Sequence, residues 1–271
     1  MSTADNSRGR AFGILRYVCT CWKLNLAGAM EFRLSSLLTA GMMFVNNCIW
    51  LVFWAIFFHR FPVVNGWRLE DVMLMWAVGA GGFGWASMLF GNFNRLAGIV
   101  AGGDLDVYLA QPKPVLLNVL VSRMSLTAIG DFLFGVAVYA FAGEHSAAGL
   151  LRFALALLIS GLLYLFVTLA AGTLAFYIGN AEGFAYQAFV SLVALSTYPT
   201  DIFKGAARTL LFTLVPAGFI SYMPIGLLAD PKPVFVASAI AAVLVSGTAG
   251  VTMFHLGLRR YASGNRTAMR S

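Results

Sequence analysis

The sequence is poor in charged residues, and this scarcity excludes a soluble globular protein. Only 11% of the 271 residues are charged, whereas 60% are hydrophobic, and soluble domains normally carry roughly 25% charged residues. The mean hydropathy of +0.81 indicates a polytopic membrane protein instead. The net charge of +7 does not indicate nucleic-acid binding, because most of the basic residues flank apolar runs, where they act as topology and headgroup signals.

The motifs of catalysis and of cofactor binding are also missing. No G-x-x-x-x-G-K-[ST] sequence is present, so we expect the chain to hold no ATP in a P-loop of its own. Cys19, Cys21 and Cys48 form no C-x-x-C pair and are expected to be free thiols. The three histidines lack metal-ligand spacing, and no constellation suggests a nucleophile. We therefore predict no enzyme activity, no metal site and no cofactor in this chain.

A glycine-rich stretch, Gly79-Ala80-Gly81-Gly82-Phe83-Gly84, matches the pattern of a dinucleotide-binding loop. That loop requires a soluble strand-turn-helix unit, whereas these glycines lie inside an apolar run. Small residues in a membrane helix allow a neighbouring helix to approach closely. The stretch therefore predicts helix packing.

Long apolar runs are what the sequence contains in abundance. Residues 36–58 supply 23 positions without a charge, enough to cross about 30 Å of hydrocarbon. We predict an all-α fold with a six-span transmembrane domain at residues 35–258. The predicted spans are residues 36–58, 72–93, 116–142, 150–178, 184–198 and 234–258.

Three further segments flank or interrupt the spans. From Phe12 onward, apolar residues recur at helical spacing, so residues 1–34 are predicted as a cytoplasmic arm with an amphipathic helix in the membrane interface. A crossing within residues 199–233 would be broken by prolines, and we predict a re-entrant segment outside the cytoplasm, made of a pair of short helices that dip into the outer leaflet and return. Its marker residues are Tyr198, Pro199, Pro216 and Pro224. Residues 259–271 form a basic cytoplasmic tail.

The distribution of basic residues predicts the orientation. Twelve of the 18 Lys and Arg residues fall on one side of the six-span arrangement, and the other six fall on the opposite side. Because cytoplasmic loops carry the excess of positive charge, both termini and the loop at residues 94–115 are predicted to be cytoplasmic.

That loop has the local signals of a docking element for a soluble partner. A short helix starting at Asp104 would place carboxylates in its first turn, where the helix dipole favours negative charge. Leu105 and Leu109 are four residues apart and share a face, so we predict them as apolar anchors. Asp104 and Asp106 would cap the helix or meet basic groups. The predicted docking residues are Gly103, Asp104, Leu105, Asp106, Tyr108, Leu109, Pro112 and Pro114.

Polar residues inside the spans are candidates for a substrate path. Asp131 is the one acid deep in a span, and such a carboxylate is a functional candidate by default. The structural alternative is a pair with Arg123, eight residues earlier, through a polar neighbour or water. Asn46 and Asn47 either line the path or hydrogen-bond a neighbouring helix.

Several of these segments resemble the ABC-2 family of transporter permeases. They are Gly66-Trp67 with Leu69-Glu70-Asp71, the G-D-L-D-x-Y-L segment at residues 103–109 with Pro112 and Pro114, Gly130-Asp131, Tyr198-Pro199, and Val215-Pro216. The resemblance runs from about Arg16 to Arg260. Gln111 stands where the family often has a basic residue before the proline, and this departure bears on partner contacts.

The resemblance implies the permease subunit of an ABC exporter, a multi-pass protein of the cell membrane with a coupling helix between spans two and three. Separate ABC ATPase subunits would supply the missing P-loop, and a second permease, a copy or a relative, would pair with this chain. The docking residues would then contact the ATPase. The alternatives are a secondary transporter or a membrane assembly factor, although the internal repeat expected of many secondary transporters is not apparent.

Overall fold

The computed structural model describes residues 3–179, 181–199, 201, 203–213, 216–220, 222–229 and 232–262, and nearly all of these are helical. Their α-helices are, in chain order, α1 Thr3–Glu31, α2 Arg33–Arg60, α3 Leu69–Leu89, α4 Leu96–Ala101, α5 Leu105–Leu109, α6 Val115–Val121, α7 Thr127–Ala142, α8 Ala147–Gly172, α9 Ala181–Ser196, α10 Ala206–Phe212, α11 Ala217–Ile220, α12 Tyr222–Ala229 and α13 Pro233–Leu258. A 3-10 turn, Thr173–Phe176, continues α8. The predicted all-α class is confirmed.

Four of the described helices are long and apolar enough to cross a membrane. They are α2, α3, α8 with its 3-10 extension, and α13. Helix α7 is shorter but also apolar. An apolar helix can cross hydrocarbon because its backbone hydrogen bonds are satisfied within the segment. These helices coincide with the predicted spans at residues 36–58, 72–93, 150–178 and 234–258, and they support a multi-pass membrane protein.

The predicted third span, residues 116–142, is not one helix, and this expectation was wrong. Helices α6 and α7 are separated by the non-helical residues 122–126. Backbone groups there pair with the end of α3: the Gly91 amide donates to the Arg123 carbonyl at 2.9 Å, and the Ser125 amide donates to the Ser87 carbonyl at 3.2 Å. Because α7 begins only at Thr127, Asp131 lies in its second turn rather than in the middle of a span.

Helix α3 lies at the centre of the bundle, packed between α7 and α8. In the most apolar part of α3, 61% of the residues are buried, whereas the buried share of the most apolar part is 17% in α2 and 11% in α13. A Cβ on Gly84 would lie 2.4 Å from the Phe132 amide nitrogen of α7, and one on Gly82 would lie 2.5 Å from Ser160 Oγ of α8. The predicted role of this glycine-rich stretch in helix packing is therefore confirmed.

Helix α1 begins at Thr3, well before the predicted start at Phe12, and docks on the ends of two other helices. Trp22 Nε1 donates to the Leu89 carbonyl at 2.8 Å, and Asn25 Nδ2 donates to the Val121 carbonyl at 3.0 Å. Leu89 and Val121 are the last residues of α3 and α6, where carbonyls lack a partner in their own helix. Helix α1 thus supplies a hydrogen-bond donor to one carbonyl at the end of α3 and to one at the end of α6.

The exposed apolar side chains of α1 support the predicted interfacial position. Five large ones are exposed, namely Phe12, Leu15, Leu24, Leu26 and Met30. Such side chains suit the boundary between headgroups and acyl chains. Helix α2 starts at Arg33, so the predicted boundary after residue 34 falls within its first turn.

The predicted re-entrant region contains the three short helices α10, α11 and α12 between α9 and α13. Pro199 follows α9, Pro216 precedes α11, and Pro224 is buried within α12. The described residues thus contain three short helices where a pair was predicted, and a return within one leaflet stays a prediction. Trp67, which precedes α3, reaches this region and donates from Nε1 to Asp201 Oδ2 at 3.0 Å. Val215 and residues 263–271 of the predicted tail lie outside the described residues.

Candidate functional site

A pocket of about 570 Å³ lies among α2, α3, α7, α8 and α9. Its lining is mostly apolar and aromatic, and the described residues of that lining include no Lys, Arg or His. This volume is typical of small-molecule sites, which span roughly 300–1,000 Å³. The predicted path residues Asn46, Asn47 and Asp131 all line the pocket, together with Thr127, Ser196 and Thr197.

Close packing of α7 on α2 brings Asp131 to Asn47. A Cβ on Gly130 would lie 2.0 Å from the Ala40 carbonyl oxygen, so the two backbones touch where a side chain would not fit. About two helical turns beyond Ala40, Asn47 Nδ2 donates to Asp131 Oδ1 at 2.7 Å, and both side chains are buried. Asp131 Oδ2 is also buried but has no hydrogen-bond partner in the described part of the chain.

The alternative pairing of Asp131 with Arg123 is not formed. Arg123 is exposed in the non-helical segment between α6 and α7, and Asp131 is bonded by Asn47 instead. Of the two roles predicted for the asparagines, Asn47 bonds a neighbouring helix while also lining the pocket. Asn46 is exposed at the rim of the pocket.

An aromatic wall completes the pocket, and the sequence analysis missed most of it. Trp50 of α2 stacks on Trp76 of α3 with ring centroids 6.0 Å apart, and Trp54 contacts Tyr198 at 6.1 Å. Tyr198, predicted only as a marker of the re-entrant region, therefore lines the pocket as well. Trp50 and Trp54 follow Asn47 at three and seven residues, a spacing that places all three on one helical face. That spacing was the signal available in the sequence.

The second candidate site is the predicted docking loop, which begins where a glycine ends α4. After α4 the Gly103 amide donates to the Val100 carbonyl at 3.2 Å, and the Asp104 amide donates to the Ile99 carbonyl at 3.0 Å. This is a Schellman motif, which requires a left-handed residue, and Gly103 has a φ of +76°. Helix α5 then starts at Leu105, one residue after the predicted Asp104.

The apolar anchors predicted on α5 need one correction. Leu105 is wholly buried in a core cluster with Leu96 and Val100 of α4, so it cannot contact a soluble partner. Val107 and Leu109 are 63% and 41% exposed. Leu105 and Leu109 do lie near one face by spacing, but α5 is only five residues long and its first turn packs against α4 and α6. The exposed apolar side chains are therefore Val107 and Leu109.

Side-chain contacts tie the docking loop to α1 and α6. The Tyr108 hydroxyl is 3.1 Å from Ser122 Oγ, at the end of α6. The Tyr17 hydroxyl of α1 donates to Asn118 Oδ1, and Asn118 Nδ2 donates to Gln111 Oε1 at 3.0 Å. Burial, followed by hydrogen bonding with Cys21, raises the pKa of Tyr17 to about 12. Gln111, the departure from the family pattern, therefore has an internal role.

The prolines of the loop face a groove rather than the core. Pro112 and Pro114 line a groove of about 590 Å³ between the loop and α1, together with Tyr17. Lys113 Nζ lies 4.8 Å from the centre of the Tyr17 ring, a cation–π contact. Pro114 also precedes the first residue of α6, where its missing amide hydrogen costs no helix bond.

The C-terminal end of α13 reaches the same loop. The ring of Tyr261 lies 6.2 Å from that of Phe176. Burial, and then the nearby carboxylates of Asp106 and Asp104, raises the pKa of Tyr261 to about 12. Helix α5 is thus held between α1, α6 and the end of α13.

Comparison with known proteins identifies the family. A family model described as an ABC-2 family transporter protein matches residues 44–264, which include the pocket residues from Asn46 onward and the docking loop. No curated protein and no solved structure matches the chain significantly. Proteins of this family act in general as membrane permeases of ABC transporters, together with ABC ATPase subunits. Because the match spans most of the sequence, the chain belongs to the ABC-2 transporter family.

Proposed function

We propose that the chain is the permease subunit of an ABC exporter and that α5 is the coupling helix that binds a separate ATPase. The observation that carries this proposal is the exposure of Val107 and Leu109 on a short helix that is braced on three sides. Exposed apolar residues on a held helix suit the groove of a soluble partner. The absence of a P-loop sequence makes a separate source of ATP hydrolysis necessary, so the chain itself is no enzyme.

Movement of the coupling helix would be transmitted to the pocket through contacts along the chain. Tyr108 of α5 meets Ser122 at the end of α6, and α7 follows after the break at residues 122–126. Asp131 lies in the second turn of α7, beside Asn47 of α2. When the ATPases close on bound ATP, they push on α5, and α7 shifts against α2. The pocket then forms part of the substrate path and opens or closes with that shift.

The proposed topology has six crossings with both termini in the cytoplasm. The bias of basic residues supports it. The positions of the loops agree: Trp67 contacts Asp201 near the short helices, whereas α1, α5 and Tyr261 gather around the docking loop. We propose that the short helices α10 to α12 form the re-entrant segment outside the cytoplasm.

A second permease and membrane lipid would cover the remaining apolar surface. Helices α2 and α13 are the least buried of the four long apolar helices. A pair of such chains, identical or related, would enclose the pocket from the side of α2, where Asn46 and Trp50 are exposed.

Recruitment of the ATPase tests the proposal directly. We expect the double variant Val107→Asp/Leu109→Asp to insert normally, because no spanning helix changes, but to lose the ATPase. The matched control is Val63→Asp, at an exposed apolar residue in the loop between α2 and α3. The measurement is ATP hydrolysis by the tagged chain purified from membranes of its own source. Equal hydrolysis by the double variant and the control would exclude α5 as the coupling helix.

A further inference from the structure

Three buried polar atoms at the pocket have no hydrogen-bond partner among the described residues. They are Asp131 Oδ2 and the indole Nε1 atoms of Trp54 and Trp76. The side chains are 2%, 5% and 8% exposed, respectively. Buried polar groups in folded proteins are nearly always paired, because an unpaired group has lost its water without compensation. The side chains that carry these three atoms all line the pocket, which indicates a ligand in the pocket that pairs with them.

The donor or acceptor character of these three atoms determines which polar groups the ligand must carry. Asp131 Oδ2 accepts a hydrogen bond, whereas the two indole nitrogens can only donate. Asn47 supplies a neutral donor to the other oxygen of Asp131, and the part of the lining that the structure describes holds no cationic side chain. A positively charged donor therefore suits the carboxylate best, because hydrogen bonds between ionised groups are the strongest.

The side chains that line the pocket indicate the apolar part of the ligand and the spacing of its polar groups. The stacked rings of Trp50 and Trp76 present aromatic surface, on which flat rings pack well. From Asn47, beside Asp131, to Trp54 is seven residues of α2, or about 10 Å along the helix. The acceptor that meets Trp54 should thus lie about two helical turns, roughly 10 Å, from the donor of the ligand.

We propose that the pocket takes an aliphatic amine that carries an aromatic ring system, whose protonated nitrogen donates an N–H to Asp131 and whose acceptors meet Trp54 and Trp76. This assignment rests on the proposed function, since it names the substrate class for the pocket on the substrate path. The N–H group, and not positive charge alone, is what distinguishes the ligand. A quaternary ammonium compound has the charge but no donor.

Two closely related ligands test the assignment on the unmodified protein. Quinine carries an aliphatic amine that is protonated near neutral pH and an aromatic ring system with acceptor atoms. Its derivative methylated at the aliphatic nitrogen keeps the rings and the positive charge but has no N–H. We expect the full-length chain in lipid nanodiscs to bind radiolabelled quinine saturably and above empty nanodiscs. The methylated derivative should bind about ten-fold more weakly or worse.

Substitutions of pocket residues test whether quinine binds in the pocket. Asp131→Asn should weaken quinine binding by about ten-fold or more, and Trp54→Phe, which keeps the ring but loses the N–H, by about two- to ten-fold. Glu144→Gln removes an exposed carboxylate outside the pocket, and Trp22→Phe removes an indole N–H that bonds the Leu89 carbonyl. Both controls should leave the affinity unchanged.

Each outcome decides the assignment. Equal affinity for quinine and its methylated derivative, or unchanged quinine binding by Asp131→Asn, would overturn it. If Asp131→Asn does not accumulate, the comparison of the two ligands on the unmodified chain still decides. Absence of quinine binding by a chain that recruits its ATPase overturns this assignment alone. Loss of the coupling role of α5 would overturn the proposed function and leave the binding result in place.

Discussion

Replacement of Gly130 by alanine should separate α7 from α2 and open the pocket. The added Cβ would lie 2.0 Å from the Ala40 carbonyl oxygen and 2.9 Å from the Phe44 amide nitrogen, whereas ordinary contacts begin near 3.4 Å. Both neighbours are backbone atoms of a regular helix and cannot rotate away. Relief of the clash therefore requires the helices to move apart by the difference, about 1.4 Å.

That separation would also break the hydrogen bond at the pocket. Asn47 Nδ2 and Asp131 Oδ1 are 2.7 Å apart, and an added gap of this size takes them beyond hydrogen-bond range. Overpacking of a well-packed interior costs about 1–3 kcal/mol, and a side-chain hydrogen bond within a membrane protein contributes about 0.6 kcal/mol on average. The steric effect dominates, and we expect a total loss of about 2–3 kcal/mol.

A neighbouring glycine provides the control for this prediction. Gly41 lies in α2 next to Ala40, but a Cβ added there meets nothing within 4 Å. Gly41→Ala should be neutral or stabilising by up to about 1 kcal/mol, because alanine favours the helix. The free energy of unfolding of both variants can be measured by titration with sodium dodecyl sulfate in mixed micelles, followed by circular dichroism. Equal stabilities of the two variants would refute the close approach of α7 to α2.

Three further predictions address topology, the contact of α1 and the charges on α5. Cysteines introduced by His145→Cys and Asn265→Cys, in a background without native cysteines, should be labelled by an impermeant thiol reagent from opposite sides of the membrane; labelling from the same side contradicts six crossings. Tyr17→Phe removes the bond to Asn118 and should expose Arg16 and Lys23 to faster trypsin cleavage. The pKa of Tyr17 is raised to about 12 from an ordinary value of about 10. The stabilising contribution of this group should therefore be complete below pH 10 and be lost as the pH rises toward 12. Cleavage that is unchanged by the substitution and by pH would exclude this contact. Asp104→Lys/Asp106→Lys reverses charge in the first turn of α5 and should abolish substrate-stimulated ATP hydrolysis while the protein still accumulates in the membrane; undiminished hydrolysis would show that these carboxylates do not act in coupling.

The long helices could be predicted from the sequence because their signal is local. The charge-free run at residues 36–58 suffices to place α2, and the glycines at 79–84 suffice to predict close packing around α3. The break between α6 and α7 could not be predicted in this way. Its backbone groups are satisfied by Ser87 and Gly91 at the end of another helix, and an apolar run alone carries no information on such partners.

In the candidate site, too, single residues could be predicted from the sequence, whereas their partners on other helices could not. A carboxylate within a span identified Asp131, but its partner Asn47 was fixed only by the approach of α7 to α2 at Gly130. On α5, the spacing of Leu105 and Leu109 indicated a shared face. It could not indicate that Leu105 packs into the core, because that depends on α4 and α6.

Cross-linking from α5 tests the central claim, that this helix couples the permease to a separate ATPase. In a chain without native cysteines, a single cysteine introduced by Val107→Cys and labelled with a short maleimide–diazirine reagent should form an adduct with the co-purifying ATPase on illumination, because the diazirine inserts into C–H and N–H bonds and needs no thiol on the partner. Val63→Cys, exposed in the loop between α2 and α3, should form none. A chain that purifies with its ATPase but forms no adduct from position 107, or forms the same adduct from position 63, would contradict the account.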